Sequence, residues 1–172
     1  MLIVLLVGLG VLVGFGLWIY WPEIIGAGWS PTPVENVRKM LSLAEVGPDD
    51  VVYDLGCGDG RIVVIAVKEF GARAVGIEAD PLRFLWSYMR IKLSGLGEKA
   101  KIIWGNFFNH NLSEATVITV FLSSKANNKL KEKLERELDV GTRIISYYWT
   151  FDGWKTIKVD PLLSVYLYRI EK

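Results

Sequence analysis

The apolar residues divide the chain into an uncharged N-terminal segment and a longer region of mixed pattern. Residues 1–21 contain no charged side chain. As a helix rising roughly 1.5 Å per residue, this segment would span about 30 Å, the thickness of a bilayer core. It ends in Trp18, Tyr20 and Trp21, aromatic residues that favour membrane interfaces. We therefore expect a single transmembrane anchor over 1–21 and a Gly/Pro-rich linker over 22–33.

Short apolar runs and amphipathic segments alternate through residues 34–172, which we expect to form one domain. Such alternation predicts a Rossmann-like, doubly wound α/β fold with a mostly parallel sheet. The tail breaks the pattern, because Asp160-Pro161 leaves no room for a crossover helix, so 154–159 and 163–170 predict an antiparallel hairpin. The other predicted strands are 51–55, 73–78, 101–104, 115–121 and 142–148, and the predicted helices are 33–43, 60–70, 81–95 and 124–138.

The charge and cysteine content exclude several classes of function. The chain has 20 basic and 19 acidic residues, a formal net charge of +1. A nucleic-acid binder normally carries a basic surface, so we expect no nucleic-acid partner. A single cysteine cannot form an internal disulfide, and no His/Cys cluster has the spacing of a metal site.

A glycine-rich turn follows the first predicted strand, in the sequence DLGCGDGR over 54–61. The glycines recur at every second residue, which differs from the G-x-G-x-x-G of dinucleotide-binding folds, and no Gly-Lys-Ser/Thr of a P-loop follows. The pattern resembles motif I of the class I S-adenosylmethionine-dependent methyltransferases. The resemblance implies that S-adenosyl-L-methionine is the cofactor. It also implies cofactor contacts at Asp54, Gly56, Cys57, Gly58, Asp59, Gly60 and Arg61.

Two further positions extend the predicted cofactor site. Glu78 ends the next predicted strand, about 20 residues after the glycine turn, where an acid can accept hydrogen bonds from both ribose hydroxyls. Asn106 stands where related methyltransferases usually carry an Asp that binds the adenine amino group, and an Asn carbonyl can accept the same bond. We expect Phe107 either to stack on the adenine or to belong to the core.

A closer resemblance covers nearly all of residues 29–154. SPTPVENV over 30–37, DLGCGDGRIV over 54–63 and GTRIIS over 141–146 are similar to small protein-lysine methyltransferases. These enzymes modify the ATP synthase c subunit and the adenine nucleotide translocase, and the mitochondrial members also carry an N-terminal hydrophobic segment. The resemblance implies that Pro31 and Thr32 close over the cofactor. It further implies an acceptor channel formed from Phe121, Ser146, Tyr147, Tyr148 and Trp149.

The sequence therefore predicts a membrane-tethered protein-lysine N-methyltransferase, whose substrate could itself be a membrane protein. Basic residues such as Arg38 and Lys39 follow the apolar segment and none precedes it, which predicts a single-pass protein with its catalytic domain in the cytoplasm. Gly10 and Gly14 form a small-xxx-small pair that could join two anchors, so the oligomeric state stays open. Two alternatives also stay open, a small-molecule or lipid methyltransferase and a non-catalytic S-adenosylmethionine-binding protein.

Overall fold

The structure is a computed structural model that describes residues 8–10, 14 and 30–171. Within residues 30–171, seven strands and four helices form a single sheet with helices packed against it. The strands are β1 (Val51–Leu55), β2 (Arg73–Glu78), β3 (Ala100–Trp104), β4 (Val117–Val120), β5 (Arg143–Tyr147), β6 (Lys158–Asp160) and β7 (Val165–Arg169). The helices are α1 (Val34–Leu43), α2 (Arg61–Phe70), α3 (Pro81–Leu93) and α4 (Ser124–Glu137), and a 3₁₀ turn covers Phe107–Asn109.

The strand order is β3-β2-β1-β4-β5-β7-β6, and the first five strands in the chain run parallel. β7 pairs antiparallel with β5, and β6 pairs antiparallel with β7. The prediction of a Rossmann-like, mostly parallel sheet with an antiparallel C-terminal hairpin is therefore confirmed. The order reverses between β1 and β4, and ligands of such sheets bind beyond the strand ends at that point.

Central strands of the sheet are covered on both faces. Every residue of β1 and β4 is buried, so neither strand shows the alternation of a half-exposed strand. One face packs against α1 and α2, with Met40 and Val63 in its core. The other face packs against α4, with Leu134 and Phe151 in its core. The two cores hold the ends of β1 and β4 in fixed positions.

Local capping explains where α3 begins. The side chain of Asp80 accepts hydrogen bonds from the backbone N–H groups of Leu82 and Arg83, both at 2.9 Å. Pro81 occupies the first helical position, where its missing N–H costs nothing. The sequence predicted this helix start, and the structure confirms it.

The predicted strand over 154–159 is wrong in its first four residues, since β6 begins only at Lys158. Trp154 instead stacks on Phe151 with ring centroids 4.8 Å apart, and its indole N–H donates to Glu135 at 2.8 Å. The pattern of apolar residues misled the prediction because these aromatic rings pack against each other in a loop rather than across a pleated strand.

Most of the predicted anchor lies outside the described residues. Residues 8–10 and 14 are helical, whereas the remainder of 1–21 and residues 22–29 of the predicted linker fall outside the part that the structure describes. Among the residues that are described, no helix combines the length and apolar character needed to cross a bilayer.

Candidate active site

A cavity opens at the carboxyl ends of β1, β2 and β4. The turn after β1, the end of β2 and the segment ahead of α1 form most of its wall, as the topology of the sheet predicts. Its lining comprises Ser30, Pro31, Thr32, Asp54, Gly56, Cys57, Gly58, Asp59, Arg61, Ile62, Glu78, Ala79, Arg83, Phe107, Phe121 and Leu122.

The glycine turn presents bare backbone to this cavity. Gly56, Gly58 and Gly60 have φ angles of 84°, 54° and 75°, in the left-handed region that side chains disfavour. The N–H of Gly56 donates to the carbonyl of Ile77 at 2.9 Å, which holds the turn against β2. Gly60 does not line the cavity; an added Cβ there would lie 3.0 Å from the Cβ of Ser87 on α3. Gly60 therefore serves the packing of the turn, while Gly56 and Gly58 face the ligand space.

Glu78 is fixed by the same turn. Its side chain is buried, and its Oε2 accepts a hydrogen bond from the N–H of Gly58 at 2.8 Å. Its Oε1 accepts a second bond from the N–H of Asp80 at 2.9 Å. Each carboxylate oxygen has a further lone pair, and the side chain lines the cavity. A pair of hydroxyl groups in the cavity could therefore bind one oxygen each.

Asp54 lies in β1 directly before the glycine turn, and its electrostatic environment differs from that of Glu78. It is buried, and Oδ1 accepts a hydrogen bond from the hydroxyl of Thr119 at 2.8 Å. Burial raises the pKa of Asp54 to about 7, the Thr119 bond opposes that rise, and the nearby carboxylates of Glu78 and Asp59 add to it. A cationic ligand in the cavity would favour the ionised form.

Arg61 joins the glycine turn to the segment ahead of α1. Its guanidinium binds both carboxylate oxygens of Asp59, each at 2.9 Å, and also donates to the backbone carbonyl of Thr32 at 2.8 Å. Arg90 on α3 pairs with the same Asp59 at 3.1 Å. Asp59 and Arg61 thus hold one wall of the cavity together, and the buried Thr32 is fixed beside it.

Replacing Arg61 by Met should weaken binding of S-adenosylmethionine by at least about tenfold, because a charge-assisted hydrogen bond to Thr32 is worth about 1.5–3 kcal/mol. Isothermal titration calorimetry would measure the change. Arg38→Met is the matched control, since Arg38 pairs with Glu35 and Glu69 on the protein surface and does not line the cavity. Equal affinities in the two variants would contradict the role of Arg61.

Of the two residues predicted to contact adenine, Phe107 lines the cavity and Asn106 does not. Phe107 lines the cavity, with its ring 4.7 Å from that of Phe108. Asn106 is exposed, and its side-chain carbonyl caps the 3₁₀ turn by accepting the N–H of Phe108 at 3.0 Å. Asn106 is not among the lining residues. Its contact with adenine stays a prediction.

Only one of the five predicted acceptor residues, Phe121, lines the cavity. Tyr147 lies behind it with ring centroids 4.7 Å apart, and its hydroxyl accepts a hydrogen bond from Asn36 at 3.0 Å. Ser146 is fully buried and donates to the carbonyl of Trp149. Tyr148 and Trp149 are exposed and meet edge to face at 5.2 Å. The structure therefore places the last two on a surface turn beyond β5.

Asn127, which supports this turn, was not predicted from the sequence. Its buried amide N–H₂ group donates to the carbonyls of Trp149 at 3.1 Å and Thr150 at 3.3 Å. Its side-chain carbonyl has no hydrogen-bond partner among the described residues. A signal was present in the sequence, since Asn127, Leu130 and Leu134 share the buried face of α4 at helical spacing. A polar residue on an otherwise apolar stripe indicates a buried hydrogen-bonding role.

Gly76 was also missed, together with the lining residues Ser30, Ile62, Ala79, Arg83 and Leu122. A Cβ on Gly76 would lie 2.7 Å from the sulfur of Cys57. The glycine in β2 thus leaves the space that Cys57 fills beneath the turn. A strand glycine beside a glycine-rich turn was the available signal.

Comparison with known proteins identifies the family. A family model described as the ANTKMT methyltransferase domain matches residues 54–158. The chain belongs to this family. A protein-lysine N-methyltransferase of Saccharolobus islandicus (strain REY15A) is 46% identical to this ANTKMT-family chain over 147 residues, covering 81% of the chain and 91% of the relative.

Two more relatives of this ANTKMT-family chain differ in how much of their length they share with it. A Mus musculus lysine N-methyltransferase named for the ATP synthase c subunit is 35% identical, and the match covers 70% of this chain but 47% of the mouse protein. The crystal structure of an RNA methyltransferase from Salinibacter ruber in complex with S-adenosyl-L-homocysteine superposes with a TM-score of 0.78 at 38% identity. The superposition covers 82% of this chain and 92% of that one. The prediction of a class I S-adenosylmethionine-dependent methyltransferase is confirmed.

Proposed function

We propose that this chain transfers methyl groups from S-adenosylmethionine to lysine side chains of proteins, and that it does so while tethered to a membrane. The position of Glu78 is the main observation that supports binding of S-adenosylmethionine in the cavity. The Glu78 carboxylate is fixed by the N–H groups of Gly58 in motif I and of Asp80 after β2, and it still faces the cavity. The protein-lysine activity agrees with the names of the Saccharolobus and mouse relatives.

The residues of the cavity suit this cofactor. Left-handed glycines leave backbone accessible, Asp54 and Glu78 supply carboxyl groups, and Phe107 supplies an aromatic surface. When bound, S-adenosylmethionine supplies a methyl group on a positively charged sulfonium. The chain itself holds the acids of the site by Thr119, Gly58 and Asp80, and Arg61 secures the Thr32 segment beside them. These contacts preorganise the site before any acceptor arrives.

The charge of the chain favours a protein acceptor over a nucleic acid. The chain has 20 basic and 19 acidic residues, whereas nucleic-acid binders normally carry an excess of basic groups. We therefore propose a protein acceptor rather than the RNA named for the Salinibacter enzyme.

We assign the acceptor entrance to the aromatic turn of Tyr147, Tyr148 and Trp149. Tyr148 has a φ of 71°, a conformation that costs a side-chain-bearing residue about 1–2 kcal/mol. Phe121 and Tyr147 connect this turn to the cavity. Exposed aromatic faces can hold a lysine ammonium by cation–π attraction. An apolar surrounding also lowers the pKa of an approaching lysine, which favours the neutral amine that methyl transfer requires.

Replacing Tyr148 by Gly should raise the KM for a protein acceptor by about tenfold and leave the affinity for S-adenosylmethionine unchanged. The substitution removes an aromatic ring worth about 0.5–2 kcal/mol to a cation, while glycine relieves the backbone strain. Steady-state kinetics with an acceptor protein would measure the KM, and thermal unfolding would measure the relief of backbone strain. Tyr148→Phe is the control that retains the ring. An unchanged KM in the glycine variant would contradict the entrance.

The membrane tether is proposed from residues 1–21, with the catalytic domain in the cytoplasm and a membrane protein as an acceptor. The uncharged apolar segment and the basic residues that follow it support this topology. Protease treatment of sealed cells and of inverted vesicles would test it. Digestion of residues 30–172 only in inverted vesicles is the expected result, and digestion in intact cells would contradict the topology.

The function is tested by incubating the full chain and tritiated S-adenosylmethionine with membranes from the source organism. We expect label in protein, recovered as Nε-methyl-lysine after acid hydrolysis. Label in extracted lipid or RNA instead would contradict the proposal. Background enzymes are excluded if a Glu78→Gln preparation, added in the same amount, leaves the membranes unlabelled.

A further inference from the structure

Helix α3 exposes an unusual amount of apolar surface. Five of its side chains, which we call the α3 apolar face, are between 47% and 82% exposed. Phe84, Ser87 and Ile91 turn toward the protein, where Ser87 and Ile91 are buried. Monomeric soluble proteins rarely leave such a continuous stripe uncovered. The α3 apolar face consists of Leu82, Leu85, Trp86, Met89 and Leu93.

Basic residues flank this face on both sides. At about 100° per residue, the five side chains of the α3 apolar face fall within an arc of about 100°. Arg83 and Arg90 lie at one edge of that arc, where Arg90 pairs with Asp59, and Lys92 lies at the other edge. The helix contains no acidic residue. Beside it, Lys68 on α2 lines a shallow groove with Trp86, Met89 and Leu93. The charge of the chain as a whole is near neutral, so this concentration of basic groups is local.

We propose that the α3 apolar face docks onto the surface of a bilayer that contains anionic lipid. Leucine, methionine and tryptophan between flanking cations are typical of helices that lie in the membrane interface. Anionic headgroups complement Lys68 and Lys92, and the indole of Trp86 suits the headgroup region. The inference rests on the proposed membrane tether, which keeps the domain at the bilayer surface.

The docking has a consequence for the substrate. α3 begins at Pro81, three residues after Glu78, and Arg83 on its first turn lines the cavity. A docked α3 therefore brings the mouth of the cavity close to the headgroups. The acceptor lysines would then lie in segments of membrane proteins that leave the bilayer at that surface, not in distant soluble domains.

Site-directed spin labelling of the full chain tests the proposal. A nitroxide is attached to Met89→Cys on the α3 apolar face, and to Glu132→Cys on the exposed side of α4 as the control. The natural Cys57 is buried, and burial raises the pKa of its thiol, so labelling is directed to the introduced cysteine. Collision rates with oxygen and with a water-soluble nickel complex are compared in detergent and in vesicles with and without phosphatidylglycerol.

We expect the label at residue 89 to gain oxygen collisions and lose nickel collisions at least threefold in vesicles with phosphatidylglycerol, while the label at 132 stays accessible to water. Leu85→Glu with Trp86→Glu should abolish the change. A label at 89 that stays accessible in vesicles, or is already shielded in detergent by a second copy, would overturn the proposal. Carbonate extraction tests the membrane tether separately from the docking of α3. A tethered protein stays in the membrane after carbonate treatment, whereas a protein held only by the α3 apolar face is released.

Discussion

Replacing Glu78 by Gln is expected to weaken S-adenosylmethionine binding by more than about 100-fold. The amide keeps one acceptor oxygen, so its N–H₂ group must face either the N–H of Gly58 or that of Asp80. One buried N–H then loses its hydrogen-bond acceptor. The two ribose hydroxyls of the cofactor also lose a charged acceptor for their hydrogen bonds. Two lost bonds of about 1.5–3 kcal/mol each correspond to this change. Calorimetric titration of the purified variant would measure it.

Glu98→Gln is the matched control for that experiment. Glu98 is exposed just before β3 and makes no contact with the cavity. We expect parent-like affinity in the control and a circular dichroism spectrum close to the parent in both variants. A Glu78→Gln protein that is folded and binds S-adenosylmethionine within threefold of the parent would show that the carboxylate does not recognise the cofactor.

Replacing Asp54 by Asn is expected to remove a pH dependence of cofactor binding. Burial raises the pKa of Asp54 to about 7, so in the parent the carboxylate that attracts a cation is only partly formed at neutral pH. Apparent affinity follows the ionised fraction and should rise about tenfold between pH 6 and pH 8. The variant keeps the Thr119 bond through its amide oxygen, and its affinity should be low at every pH. Titrations at five pH values would measure both proteins.

Ionisation of Asp54 should have the opposite effect on the stability of the protein without cofactor, which should fall as the pH rises. Because the pKa of Asp54 is raised by folding, its contribution favours the folded state below the unfolded pKa of about 4 and is lost as the pH rises through about 7. Above pH 7 the Asp54→Asn protein should therefore melt a few degrees higher than the parent. Because the Asp54→Asn variant lacks this carboxyl group, a pH dependence that remains in its cofactor affinity would come from titration of the cofactor itself. Equal pH profiles for affinity and for melting in the two proteins would contradict the assignment.

The cofactor side could be predicted from sequence because its determinants are local. The glycines of 56–60 follow β1 and Glu78 ends β2, and parallel strands bring their carboxyl ends to one edge of the sheet. Most of the residues that the resemblance assigned lie in the turn, at a strand end or in the segment ahead of α1. Arg61 was predicted as a ligand contact, yet the structure shows that it also binds Thr32 across 29 positions of sequence. Such a pairing depends on how α1 packs, which spacing does not reveal.

The acceptor side depends on tertiary contacts and was harder to predict. Ser146 was assigned to the acceptor channel, but it is buried beneath the turn with Asn127. The left-handed conformation of Tyr148 has no signature in its residue type, because tyrosine rarely adopts it. Helix α3 illustrates the same limit, since periodicity shows that a helix is amphipathic but not which face remains uncovered.

A crystal structure of this chain with S-adenosyl-L-homocysteine would show whether Glu78 binds the ribose of the cofactor. We expect both ribose hydroxyls within hydrogen-bond distance of the Glu78 carboxylate, beside the turn of Gly56 and Gly58. We also expect the Pro31-Thr32 segment to cover the ligand. A ligand bound elsewhere in the molecule, or ribose hydroxyls turned away from Glu78, would contradict this role of Glu78.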